Sequence, residues 1–218
     1  MKKISTKKII ATSIISLFFV QIFYIVFAEP SVTLAATAPD AVIVTLNVTS
    51  GLTLSNGTDV LMAPNISMSA NKSIGSSSWV ATTNSATGYT LAVKASTTPA
   101  LKNGAVDSFA DYTEGTAGTP DLWGGIAVGA KEFGYSAYGT NVPTATWGTA
   151  PDCGSAGIPN ILGKYRGFTT SDITIASLGT VTPTAGITTN ICFAAEQNAV
   201  YAASGAYSAT ITATMTAA

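Results

Sequence analysis

Tyr207-Ser208-Ala209-Thr210-Ile211-Thr212-Ala213-Thr214-Met215-Thr216 alternates without a break. Tyr207, Ala209, Ile211, Ala213 and Met215 fall on one face, and Ser208 and the threonines on the other. Side chains of a strand point to opposite faces in turn, so this period of two predicts a half-buried antiparallel strand. The same period recurs upstream. Residues 41–48 set Val42, Val44, Leu46 and Val48 together, and Tyr89–Ala95 sets Tyr89, Leu91, Val93 and Ala95 opposite Thr90, Ala92 and Lys94. Further strands are predicted over 51–54, 65–70, 78–83, 172–178 and 189–195. Turn residues separate them, as at Ser55-Asn56-Gly57 and Thr87-Gly88. No long amphipathic helix is visible after residue 38. Many short strands with turn punctuation predict an all-β fold, a sandwich or barrel.

The N-terminus reads differently. Lys2, Lys3, Lys7 and Lys8 precede an uncharged apolar stretch over 9–28, broken only by Ser, Thr and Gln21. A positive start, an apolar core and small residues after it form an export leader, assigned to 1–38. Two readings of it stay open. In one it is a signal peptide cut within 28–38, with Val26-Phe27-Ala28, Thr33-Leu34-Ala35 and Ala36-Thr37-Ala38 as candidates; Pro39 disfavours the last. In the other it remains as an anchor, since about 20 residues suffice to span a bilayer and the lysines stay inside. Either way the expected location is extracytoplasmic, secreted or at the cell surface. No pilin-type cleavage site precedes the apolar stretch and no sortase motif closes the chain, so neither route of surface retention is expected.

Residues 39–218 are expected to form a single domain, a size that suits one core. They hold six basic and ten acidic residues, a balance of −4. No basic patch suits nucleic acid, and such sparse charge favours close association with other surfaces or with itself. Cys153 and Cys192 are the only cysteines. A pair in an exported chain predicts one disulfide.

The stretch of about 102–166 is richer in Gly, Pro and aromatics and is expected to be an insertion between sandwich strands, with one or two strands of its own. Trp123, Tyr135, Tyr138 and Trp147 are its candidate ligand platform, a flat surface for sugar rings. The competing reading is that they pack a loop onto a sheet. Asp107, Asp111, Glu114 and Asp121 form the one local acid cluster and are weak calcium candidates through oxygen ligation. The spacing matches neither an EF-hand nor a calcium-binding repeat, and no other metal site is expected. The other acids, Glu132, Asp152, Asp172 and Glu196, read as solvated loop charges. The chain has no histidine, which removes the usual general base of serine and cysteine triads. Neither an enzyme nor a cofactor is expected.

Three segments carry a resemblance. Thr83-Asn84-Ser85-Ala86-Thr87-Gly88-Tyr89-Thr90-Leu91, Gly134-Tyr135-Ser136, and Cys192-Phe193 through Gly205-Ala206-Tyr207-Ser208-Ala209-Thr210-Ile211-Thr212 resemble small exported bacterial β-sandwich surface proteins of the WxL-like, spore-coat-U and fimbrial-subunit kinds. The resemblance implies an immunoglobulin-like sandwich and a role at the cell surface. The Trp-x-Leu motif is missing, so wall binding of that kind does not carry over. The expected function is therefore a structural or appendage subunit acting through contacts with other surface proteins or with itself. The alternative is a glycan-binding adhesin module that uses the aromatic insertion. Residues 41–48 are expected to pair within their own domain, the alternative being a strand given to another subunit.

Overall fold

The computed structural model describes residues 14–19, 21 and 43–218. Most of the 1–38 leader, all its candidate cleavage sites included, lies outside the described residues. Residues 14–19 are helical and exposed, and among the described residues no helix is long and apolar enough to cross a membrane. The chain divides into two units, Met1–Asn47 and Val48–Ala218. Of the first, residues 43–47 lie outside helices and strands and are exposed.

The second unit is all-β. Its larger sheet runs β1 (Leu52–Leu54), β2 (Lys72–Thr83), β12 (Ile187–Gln197), β7 (Lys131–Tyr138), β10 (Lys164–Gly167) and β6 (Asp121–Leu122), every neighbour antiparallel. Beside β7, β5 (Asp107–Asp111) adds a parallel pair and itself pairs with β4 (Leu101–Asn103). The smaller sheet runs β11 (Ile173–Leu178), β3 (Tyr89–Ala95), β13 (Ile211–Ala217). A two-stranded ribbon, β8 (Gly154–Ser155) and β9 (Ile158–Pro159), and a one-turn helix (Thr144–Trp147) complete the elements.

Alternation explains the layering. Odd-numbered Ile191, Phe193 and Ala195 of β12 face the small sheet together with Phe133, Tyr135 and Ala137 of β7 and Trp79 and Ala81 of β2. Tyr89, Leu91, Val93 and Ala95 of β3 and Ile175 of β11 meet them from the other side. Phe168 joins the aromatic stack, 4.3 Å from Tyr135 and 5.3 Å from Phe133 between ring centroids. Two mostly antiparallel sheets thus close on one apolar core, as the alternating pattern predicts. Cys192, Ala194 and Glu196, on the other face of β12, are also buried. Ile74, Tyr112, Ile126, Tyr165, Cys192 and Ala194 form a second apolar cluster on the outer face of the large sheet. The sheet is therefore covered on both faces.

The cover comes from the 102–166 stretch, which departs from its expectation as an insertion with one or two strands. It supplies β5 to β10, and β7 is a central strand of the large sheet, paired with β12 along its whole length. Two other expectations are corrected. Residues 65–70 form no strand, and residues 43–48, the described part of 41–48, are unpaired and exposed rather than paired within the domain. Pro64, the exposed polar stretch and Asn71 interrupt the first; the second finds no strand partner among the described residues.

Two glycines let the layers close. Gly88 turns β2 into β3 at φ +77°, and a Cβ there would run into the Leu178 carbonyl. A Cβ on Gly134 would stand 2.7 Å from Tyr112 Cβ and 2.8 Å from the Arg166 carbonyl oxygen. At both positions a backbone or ring has to approach closer than any side chain permits.

Candidate functional site

The outer face of the large sheet carries the densest polar chemistry. Lys72, Glu196 and Glu132 are cross-strand partners in one row across β2, β12 and β7. Lys72 Nζ lies 3.2 Å from Glu196 Oε2. Trp123 Nε1 donates to the same oxygen at 2.7 Å. Glu196 is only 4% exposed, so this charge is held by a cation and an indole N–H rather than by water. The Thr113 backbone N–H donates to Glu132 Oε2 at 3.2 Å. Burial, with the neighbouring Glu196 adding to it, pushes the Glu132 carboxyl above its ordinary value. Sequence reading placed both glutamates in solvated loops. The signal it passed over is Glu196 directly following the unbroken apolar run Ile191–Ala195.

Trp123 anchors the cover in other ways. Its ring stacks on Tyr112, centroids 4.5 Å apart, and meets Tyr165 edge-on at 5.3 Å. Gly134 leaves the space beneath that pair. Nearby, the disulfide predicted between Cys153 and Cys192 is in place, with Cα atoms 5.1 Å apart, inside the range for a bridge. It ties the loop before β8 to the outer face of β12, not one sheet to the other.

The four candidate platform aromatics do not share a surface. Tyr135 and Trp147 are each 1% exposed and pack 5.3 Å apart in the core between the sheets. Trp123 and Tyr138 are half-buried against the outer cluster. Tyr138 lines an open cleft of about 320 Å³ with Val142, Thr144, Thr149 and Asn190.

The four candidate calcium carboxylates are likewise spread apart and engaged. Asp107 pairs with Lys131 and accepts from Tyr207 Oη and, at 2.8 Å, from the Ala203 N–H. These partners hold its carboxyl well below the usual range. In return, burial and Asp107 push the Tyr207 hydroxyl up to about 12. Asp111 accepts the Ala100 N–H at 2.9 Å, and burial pushes its carboxyl up. Glu114 lies 3.6 Å from Arg166 Nε and accepts the Gly167 N–H at 3.1 Å. Asp121 accepts from Tyr112 Oη at 2.8 Å and Gly115 N at 2.6 Å. Among the described residues no three His, Cys, Asp or Glu side chains converge as metal ligands.

The other candidate surface is a sheet edge. β13 ends the small sheet, so one side of its backbone has no strand partner. Ile211, Ala213 and Met215 pack only partly against the core, and Thr212, Thr214 and Thr216 are exposed. Elsewhere Ile43 is 90% and Leu46 83% exposed, with Val44 and Val48 similar. An unpaired alternating apolar segment and an open strand edge are complementary kinds of surface.

Comparison with protein-family models, curated proteins and solved structures finds no match for this chain.

Proposed function

We propose that this chain is an exported structural subunit of a bacterial surface layer or appendage, acting through contacts between its own copies. The observation that carries the reading is the exposed alternating run 43–48 in a chain whose small sheet ends on the open seven-residue edge of β13. Residues 43–48 of one copy add as a strand to β13 of the next. Main-chain hydrogen bonds supply affinity, and Val44, Leu46 and Val48 bring apolar contacts to the edge of the core. The sparse charge of the chain sets little repulsion against such stacking. Export follows from the basic and apolar N-terminal leader, and the sandwich is read as an immunoglobulin-like one carrying a covering layer. Light scattering of the secreted chain over a concentration series tests the proposal. Growth into discrete oligomers that is lost in the Val44→Lys, Leu46→Lys variant is the expected result. A monomer at every concentration overturns it.

A second reading rests on the Tyr138 cleft. One aromatic face, the Asn190 amide and the Thr144 and Thr149 hydroxyls are the chemistry that receives a sugar ring, and the volume is at the small end for ligand sites. Binding on an oligosaccharide array that Tyr138→Ala abolishes would establish this adhesin role.

A further inference from the structure

We infer that the stretch of chain from Asn47 to Asn65 is glycosylated, with oligosaccharide carried on the side-chain nitrogens of Asn47, Asn56 and Asn65. The inference rests on the export reading, because the donor and its transferase work outside the cytoplasm.

The sequence supplies the acceptor pattern. Asn47-Val48-Thr49, Asn56-Gly57-Thr58 and Asn65-Ile66-Ser67 each place a hydroxyl two residues after an asparagine, with no proline between. The structure then separates these asparagines from most of the others. All three are exposed and outside strands, and among the described residues their side-chain amides have no hydrogen-bond partner. Asn84, Asn141, Asn160, Asn190 and Asn198 all use their amides structurally, and none is followed two places on by Ser or Thr. Five of the six asparagines outside the pattern thus spend their amides on structure, Asn103 being the exception, while Asn47, Asn56 and Asn65 leave theirs free among the described residues. A fourth match, Asn71-Lys72-Ser73, runs into β2 and its Ser73 is buried, so the folded chain withholds that hydroxyl.

A second observation concerns solubility. Between residues 43 and 68 the sole charge is Asp59. The same span exposes Ile43, Val44, Leu46, Val48, Leu61 and Met68, and β1 is the terminal strand of the large sheet. A nearly uncharged stretch of chain that exposes apolar side chains and includes an open strand edge is an aggregation hazard that proteins normally blunt with charge or cover. Sugars on Asn56 and Asn65 give that cover in the part of the stretch that holds Leu61 and Met68. In an extended strand Asn47 projects from the face opposite Val44, Leu46 and Val48, so a glycan there leaves the associating face free.

The donor is an oligosaccharide linked through diphosphate to a polyprenol. The asparagine amide nitrogen attacks C1 of the first sugar. The Nδ2–C1 bond forms, the C1–O bond to the diphosphate breaks, and the departing lipid diphosphate takes the electron pair. The nitrogen gives up one proton, and no oxidant or reductant is involved.

The test is mass spectrometry of the full chain isolated from the cells that naturally make it, alongside fractionation of those cells. The expected result is an extracytoplasmic chain with glycan-bearing peptides at Asn56 and Asn65, and at Asn47. Asn56→Gln and Asn65→Gln each lose one glycan increment. Thr58→Ala loses the increment at Asn56 while Thr58→Ser keeps it, a pattern that a purely structural role for Thr58 does not produce. An exported chain with these asparagines bare, or with Asn71 alone occupied, overturns the inference and leaves export standing. A cytoplasmic chain overturns both.

Discussion

Glu132 and Glu196 stand directly opposite each other on β7 and β12, and among the described residues only Glu196 has a cation. Like charges in cross-strand register oppose each other, so the fold holds Glu132 at a cost and relies on Lys72 and Trp123 to keep Glu196.

The two glutamates therefore respond oppositely to loss of charge. Folding raises the Glu132 carboxyl above its unfolded value, so stability falls as the pH rises through the folded value and the penalty is absent below the unfolded one. Glu132→Gln should stabilise the protein by about 0.5 kcal/mol at pH 7, a small figure because the group is partly solvated. The gain should vanish at acid pH, as read by urea titration at both pH values. Glu196→Gln should destabilise by about 2 kcal/mol, since it leaves Lys72 and the Trp123 N–H around a neutral group.

Asp107 has the reverse sign. Its folded carboxyl is held below the ordinary range by Lys131 first, then Tyr207 and the Ala203 N–H. The stability it contributes is complete above about pH 4, the unfolded value, and is lost as the pH falls toward the folded value. Asp107→Asn should lower stability by about 1.5 kcal/mol at pH 7 and by much less at the acid end of a thermal-melt series.

Gly134→Ala tests the close approach of the cover to the sheet. The added methyl meets Tyr112 and the Arg166 carbonyl at under 3 Å, so Tyr112 and Trp123 have to lift. A loss of about 2 kcal/mol is expected. Trp123 fluorescence should shift to the red, because its ring is then wetter.

Replacing Cys153 and Cys192 together by alanine opens a link between residues 39 apart. Chain-entropy reasoning puts the loss at about 4 kcal/mol. Because the bridge pins the cover, limited proteolysis should cut near residues 150–160 before it cuts β2 or β3.

Strand positions were legible wherever alternation was strong. Tyr89–Ala95 appears as β3 with the expected limits, and β2, β11, β12 and β13 each overlap their expected segments. Residues 43–48 failed because period two states what a segment is suited to, not whether a partner edge is present. The cover was hardest to read. β7 opens with Lys131-Glu132 and contains Gly134, so polar and glycine positions hide a strand that is buried on both faces. The disulfide was legible because two cysteines permit a single pairing. The division of the four aromatics between two cores was not, since composition carries no information on which face a ring takes.

The small sheet has a consequence for the order in which the chain assembles. Its central strand, β3, pairs with β11 and β13 alone, so Tyr89 waits for Leu178 on one side and Ala217 on the other. At ordinary rates of synthesis the interval between Tyr89 and Ala217 is on the order of ten seconds. Until β11 is made, Leu91 and Val93 have no strand to pair with, and the second edge of β3 waits for β13. High contact order of this kind makes closure slow. The small sheet is therefore completed in two steps, the first when β11 reaches β3 and the second only when β13 arrives.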